Sequence, residues 1–194
     1  MTTPKTPPRP EYWVLSLSGG KDSTALGLEW LTRHQADPST YPLDEVIYCD
    51  VGMEFPQMVE HINRLEAIFT DAGIKFTRLS SGKSFEYWMF EYQPKKRNPE
   101  LQYLKGKSWP TSRVRWCTGE LKQKVVSRYF KDLRNRKTVI QLVALAADEE
   151  YRLERKNNQD PNHRHPLIEW GWKEADCLKY CYDHGFDWGG LYEL

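Results

Sequence analysis

The sequence contains no hydrophobic run long enough to cross a bilayer and no signal-peptide-like stretch at its start, so a soluble, cytoplasmic protein is expected. Its four cysteines, Cys49, Cys117, Cys177 and Cys181, include no C-x-x-C pair. That rules out a disulfide framework and suits a reducing compartment. Internal repeats are absent, and the low-complexity content is confined to residues 1–10, where Pro4, Pro7, Pro8 and Pro10 predict a flexible tail. Neither sign of charge dominates, with 28 Lys and Arg against 27 Asp and Glu. The near-neutral total hides an asymmetry. Residues 94–137 hold 14 basic side chains and three acidic ones, a local charge of +11, which leaves −10 for the remainder. A basic segment on an acidic chain suits a polyanionic ligand, either nucleotide phosphates or nucleic acid.

With 39% hydrophobic residues, 194 residues suffice for one substantial core, so residues 11–194 read as a single domain. The chemistry-bearing stretch is Ser16-Leu17-Ser18-Gly19-Gly20-Lys21-Asp22-Ser23. The apolar run Tyr12–Leu17 reads as a buried strand, and Asp22–His34 as a helix with apolar positions at Ala25, Leu28, Trp30 and Leu31. In the turn between them, two glycines let the backbone approach an anion while the first free amides of the helix face the same space. Lys21 adds a cation, and the Ser18 and Ser23 hydroxyls are placed to complete a cradle. A Walker A loop is excluded, because Asp22 stands where that pattern requires Ser or Thr.

Further along, Leu43–Asp50 reads as a second strand, ending in Asp50-Val51-Gly52-Met53-Glu54-Phe55-Pro56. Pro56 opens a helix whose Met58, Ile62, Leu65 and Phe69 form a core stripe. Lys75–Leu79 is a third strand and Ser84–Tyr92 a short aromatic helix. The stretch from Gln93 to Arg115 lacks any period and reads as a substrate-contacting loop. A helix is expected from Gly119 to Leu133, then a strand from Thr138 to Ala146, a polar loop from Asn157 to Arg164, and a last helix from Lys173 to His184. That helix would end at Gly185 in the left-handed conformation. His163 and His165 lack a nearby carboxylate or cysteine pair and read as surface residues. Alternating strands and helices with phosphate chemistry on the first turn predict an α/β fold with a parallel sheet covered on both faces.

The Ser-Gly-Gly-Lys-Asp-Ser loop resembles the PP-loop of the ATP pyrophosphatase superfamily. Several stretches are similar to one branch of it, the phosphoadenosine phosphosulfate reductase family: Asp50-x-Gly52-x-Glu54-x-Pro56, Arg115-Trp116-Cys117-Thr118 with Lys122, Asp148-Glu149 with Arg152, and Pro166-Leu167-Ile168-Glu169-Trp170. The departures are Ala146-Ala147, where reductases tend to carry arginines, and the expected lack of the further C-terminal segment whose cysteine serves such reductases, since the sequence stops at Leu194. The resemblance implies a three-layer fold with about five parallel strands, of the adenine nucleotide alpha hydrolase-like type. It also implies a nucleotide held by Ser16, Ser18, Gly19, Gly20, Lys21, Asp22, Ser23, Asp50, Gly52, Asp148 and Arg152.

Three functions follow from that resemblance. The first is cleavage of ATP to AMP and pyrophosphate with adenylation of an acceptor in sulfur or nucleic-acid modification, for which Lys21, Arg115, Cys117 and Lys122 are the catalytic candidates. Magnesium is expected on Asp22 or Asp50. The second is reduction of phosphoadenosine phosphosulfate, which needs a thiolate, and Cys117 is the candidate. The third is a nucleotide-binding subunit of a larger assembly, with segment 94–137 facing a nucleic acid or protein partner. Cys177 and Cys181, at i and i+4 on a helix, read as core, and an iron–sulfur cluster is not expected.

Overall fold

The computed structural model describes residues 9–155 and 159–192. The expected tail at residues 1–10 lies largely outside the described residues. The elements are β1 (Glu11–Leu17), α1 (Lys21–Ala36), β2 (Glu45–Asp50), α2 (Pro56–Asp71), β3 (Lys75–Ser80), α3 (Lys124–Arg134), β4 (Thr138–Leu142), β5 (His163–Arg164), α4 (Pro166–Glu169) and α5 (Glu174–Asp183). Five strands form one sheet in the order β3-β2-β1-β4-β5, with every neighbouring pair parallel.

Period-2 alternation divides the strands between two cores. Leu15, Leu17, Val46 and Tyr48 face one side, where they pack with Ala25 and Leu26 of α1, Ile62, Leu65 and Phe69 of α2, and Cys177 and Cys181 of α5. Val14, Ile47 and Val139 face the other side and meet Phe130 and Leu133 of α3. The fold is thus a three-layer α/β sandwich. Gly27 brings α1 close to the sheet, because a Cβ there would lie 3.0 Å from Leu15 and 3.1 Å from Phe69.

From β1 the chain builds outward through β2 to β3, then returns to lay β4 on the opposite side of β1. The crossovers leave β1 and β4 in opposite directions, and a crevice opens where their carboxyl ends diverge. This topological switch point adjoins the glycine turn after β1.

Four expectations are corrected. The helix expected over 119–133 starts as a π turn, Thr118–Gln123, and becomes α-helical only at Lys124. Such wide turns recur at functional sites. The strand expected through Ala146 leaves the ladder after Leu142, since its partner β5 is two residues long. That partner lies within the stretch read as a polar loop, and His163, read as a surface residue, keeps only 13% of its side chain exposed.

Candidate nucleotide site

The turn from Ser18 to Gly20 is braced from within. The Ser18 amide donates to Ser23 Oγ at 3.1 Å, and Ser23 Oγ in turn donates to the Gly20 carbonyl at 3.1 Å. That uses the single hydroxyl hydrogen of Ser23, so in the 2.9 Å contact between the two hydroxyls Ser18 is the donor. The Ser23 hydroxyl, assigned from the sequence to the phosphate cradle, is therefore spent inside the loop, where the residue is buried. Gly19 has φ +84°, and a Cβ there would come within 2.8 Å of Met58 Sδ and 3.0 Å of Ile62 Cδ1. Both the left-handed backbone and the crowding demand glycine.

Behind the loop, the Trp188 indole N–H donates to the Gly19 carbonyl at 2.7 Å. Thr24 Oγ1 meets His61 Nε2 at 3.0 Å, and the His61 ring packs on Trp188 at 4.8 Å. Burial, aided by the charge of Arg64, pushes His61 down to about 4, so the imidazole is neutral near pH 7. A smaller hollow of about 220 Å³ lies beside this packing, between α2 and residues 185–189.

In front of the loop, Lys21 Nζ lies 2.8 Å from Glu174 Oε2 and 3.1 Å from Asp22 Oδ1. Burial works against the Lys21 charge, but hydrogen bonds to Glu174 and Asp22 outweigh it and hold the ammonium above its ordinary range. Asp22 moves up as well, because its own burial and the like charges of Glu174 and Glu149 exceed what one ammonium offsets. The Lys21 amide, the first of α1, donates to the Tyr192 hydroxyl at 3.1 Å.

The cleft at the switch point holds about 1310 Å³. Ser16, Ser18, Gln141 and His163 line it from the sheet, and Lys122, Phe130, Lys131 and Arg134 from the opposite wall. Gln141 Nε2 donates to Ser16 Oγ at 2.8 Å, which gives the floor a polar pair. At the far end Arg134 binds Asp160 at 2.8 Å, and His163 Nε2 stands 3.8 Å from the same carboxylate. Burial lowers His163.

The remaining sequence candidates are dispersed. Asp50 ends β2 and accepts from the Gly52 amide at 2.7 Å, closing the turn in which Gly52 has φ +75°. Asp148 accepts from the Glu174 amide at 3.2 Å and so anchors the start of α5. Arg152 pairs with Glu149 at 2.5 Å. Arg115 is exposed, and Cys117 is half-buried at the edge of a cluster of Phe85, Trp116 and Leu121. Of these, Lys122 lines the cleft.

Asp22 and Asp50, the carboxylates expected to hold magnesium, are engaged respectively by Lys21 and by the Gly52 amide. Among the described residues no group of three or more His, Cys, Asp or Glu is arranged to hold a metal ion. Cys177 and Cys181 are fully buried, and burial pushes both thiols up to about 12. Among the described residues no helix is long and apolar enough to cross a membrane.

Sequence reasoning missed Glu174, Trp188 and Tyr192 as neighbours of the loop, and Gln141 and His163 as walls of the cleft. The first three reach Lys21 or Gly19 from more than 150 residues away, with no spacing signal to announce them.

No family model matches the chain, and no curated protein matches it. Among solved structures, the U34-tRNA thiolase NcsA from Methanococcus maripaludis, described with its [4Fe-4S] cluster, aligns at 14% sequence identity and a TM-score of 0.47. The alignment covers 90% of this chain and 57% of that one. The expectation that set an iron–sulfur cluster aside is corrected by this match, whose own protein carries one.

Proposed function

We propose that this chain binds an adenine nucleotide with its phosphates on the loop Ser18–Ser23, cleaves ATP between the α and β phosphates, and passes adenylate to an acceptor in sulfur or nucleic-acid modification. One observation carries the reading: a glycine turn leading into the first amides of α1 sits at the switch point of a doubly wound parallel sheet, beside a cleft of about 1310 Å³. In this reading the loop amides grip the leaving pyrophosphate, and Lys21 exchanges Glu174 for a phosphate oxygen as negative charge develops. Lys122 faces the nucleotide from the opposite wall. Ser16 and Gln141, already hydrogen-bonded to each other, supply a donor and acceptors to the nucleoside.

The acceptor approaches across segment 93–115, where Tyr103 is 75% and Trp109 62% exposed beside the exposed cations Lys105, Arg113 and Arg115. Exposed rings interleaved with cations suit an unstacked nucleic-acid strand. A second reading, sulfonucleotide reduction, is favoured by one feature: Cys117 is half-buried whereas Cys49, Cys177 and Cys181 are buried.

The test is pyrophosphate release from ATP, together with the ATP-dependent rise in melting temperature. Replacing Lys21 with Ala is expected to lower the release rate by about 10²–10³-fold, the scale of losing one transition-state contact. An undiminished rate overturns the reading. Sulfite formation from phosphoadenosine phosphosulfate that is lost in Cys117→Ser would replace it with the second.

A further inference from the structure

The part of the chain that follows β5 holds Lys21 at both its ends. Glu174, in the first turn of α5, pairs with the ammonium, and the Tyr192 hydroxyl accepts from the amide at 3.1 Å. That amide belongs to the first turn of α1, where N–H groups lack intrahelical partners and an anion is the natural acceptor.

The tyrosine is held there by a built turn. Trp188, 2% exposed, adopts φ +53°, a left-handed conformation that a bulky side chain rarely takes. It is held so by its bond to the Gly19 carbonyl and by its packing on His61. The Asp187 side chain accepts from the Gly189 amide at 3.0 Å, and the Tyr192 ring meets Trp188 edge-on at 4.7 Å. A Cβ on residue 20 would stand 3.4 Å from the Tyr192 hydroxyl, so the oxygen lies directly on the glycine loop.

We propose that Tyr192 is an internal stand-in for a phosphate oxygen and that the Trp188–Tyr192 turn gates the loop. Polyphosphates bind only when the hydroxyl gives up the Lys21 amide. The inference rests on the phosphate-binding reading of the loop and adds its regulation. A phenolic oxygen is a neutral acceptor, whereas a phosphate oxygen forms a stronger charge-assisted bond, so the ligand displaces the tyrosine. The displacement lowers apparent affinity by the fraction of molecules that are open. Trp188, bonded to the loop carbonyl on the far side, stays in place and works as a positioning residue.

The experiment is calorimetric titration of the full chain and of Tyr192→Phe with inorganic pyrophosphate and with ATP. It is paired with hydrogen exchange of the Lys21 amide in the ligand-free proteins. The variant keeps the ring that packs on Trp188 and removes only the oxygen. Both ligands are expected to bind it roughly three- to tenfold tighter, the worth of one hydrogen bond no longer displaced. Without ligand, its Lys21 amide should exchange faster than in the parent chain. Equal affinity for both proteins overturns the gate and leaves the phosphate site standing. Weaker binding by the variant also overturns it, making Tyr192 a contact to the ligand. Unchanged exchange at Lys21 removes the contact on which the gate depends. If neither protein binds pyrophosphate or ATP, the phosphate-site reading itself fails, and the gate with it.

Discussion

Glu174 Oε2 lies 2.8 Å from Lys21 Nζ, so the only lysine of the glycine loop is already neutralised by the first turn of α5. The Glu174 side chain is 44% exposed and that of Lys21 17%. The pair is therefore screened on one side, and its breakage costs the fold little, about 0.5 kcal/mol for an exposed pair. Its effect on a ligand is larger, because a phosphate must compete for the same ammonium. Glu174→Gln is expected to leave the melting temperature nearly unchanged and to tighten ATP binding roughly two- to fivefold at low salt. The gain should shrink as ionic strength rises. Titrations at two salt concentrations check this, and weaker ATP binding by the variant would show Glu174 to be a support of the site.

Behind the loop, His61 makes stability depend on mild acid. Its pKa in the fold is about 4 against an ordinary 6.5, with burial the main cause and Arg64 adding to it. The sign follows from proton binding: the unfolded chain takes up the proton first, so the full contribution is present above pH 6.5. It drains away as pH falls towards 4, by roughly 3 kcal/mol across the window. Chemical denaturation of the parent chain between pH 7 and pH 4 should show this slope. His61→Gln can retain a hydrogen bond to Thr24 and does not titrate, so its profile should be flatter over the same range.

A second buried group acts lower on the pH scale. Glu45 is 0% exposed, yet it accepts from Tyr129 at 2.6 Å and from Thr77, and pairs with Lys75 at 2.7 Å. Burial opposes the charge, but the Lys75, Thr77 and Tyr129 hydrogen bonds outweigh it and hold the carboxyl below its ordinary 4.5. The stabilisation is complete above pH 4.5 and is lost as pH falls through the lowered value. All three partners meet Oε1, so Glu45→Gln keeps an oxygen for them but removes the charge that strengthens those bonds and buries an N–H₂ in place of Oε2, and should cost about 2 kcal/mol at pH 7. The loss is expected to narrow below pH 4.5, and a constant difference across that range would show that the carboxylate charge is not what binds the three partners.

The parts of this architecture legible in the sequence are those written in local periodicity. Ile62, Leu65 and Phe69 are buried as their helical stripe requires, and Gly185 ends α5 at φ +74° as its position after the helix suggests. The apolar run around Val14 and Leu15 announced a buried strand, and the structure divides its two faces between the two cores. β5 escaped, since His163-Arg164 has neither length nor apolar character and becomes a strand only because β4 offers it an edge. The partners of Lys21 escaped for a different reason. Glu174 and Tyr192 reach it only once α5 has packed on α1, and tertiary contacts of that span leave no period in the sequence.

The basic excess of segment 94–137 is smaller in space than in sequence. Lys107 and Lys124 share Glu120 at 3.0 and 2.5 Å, and Arg134 is bound to Asp160. Lys107 is further drawn inward, its ammonium 4.6 Å from the centre of the Trp88 ring. In the proposed reading, contacts to a phosphate backbone would fall to Lys105, Arg113 and Arg115, all on the exposed stretch that carries Tyr103 and Trp109. Replacing Lys105 and Arg113 together with Ala should lower affinity for single-stranded RNA or DNA and reduce the slope of log K against log salt by about 1.4, at about 0.7 for each lost phosphate contact. Trp109→Ala should weaken binding by roughly 1–3 kcal/mol while leaving the salt slope unchanged, because stacking releases no counterion. Its ring touches Phe85 at 5.9 Å, so the melting temperature must be measured alongside. Polarisation titrations across a salt series decide the matter: slopes and affinities that match the parent chain in both variants would remove this surface from the acceptor's path, whereas a loss confined to the charge pair would leave a backbone-tracking face without a stacking platform.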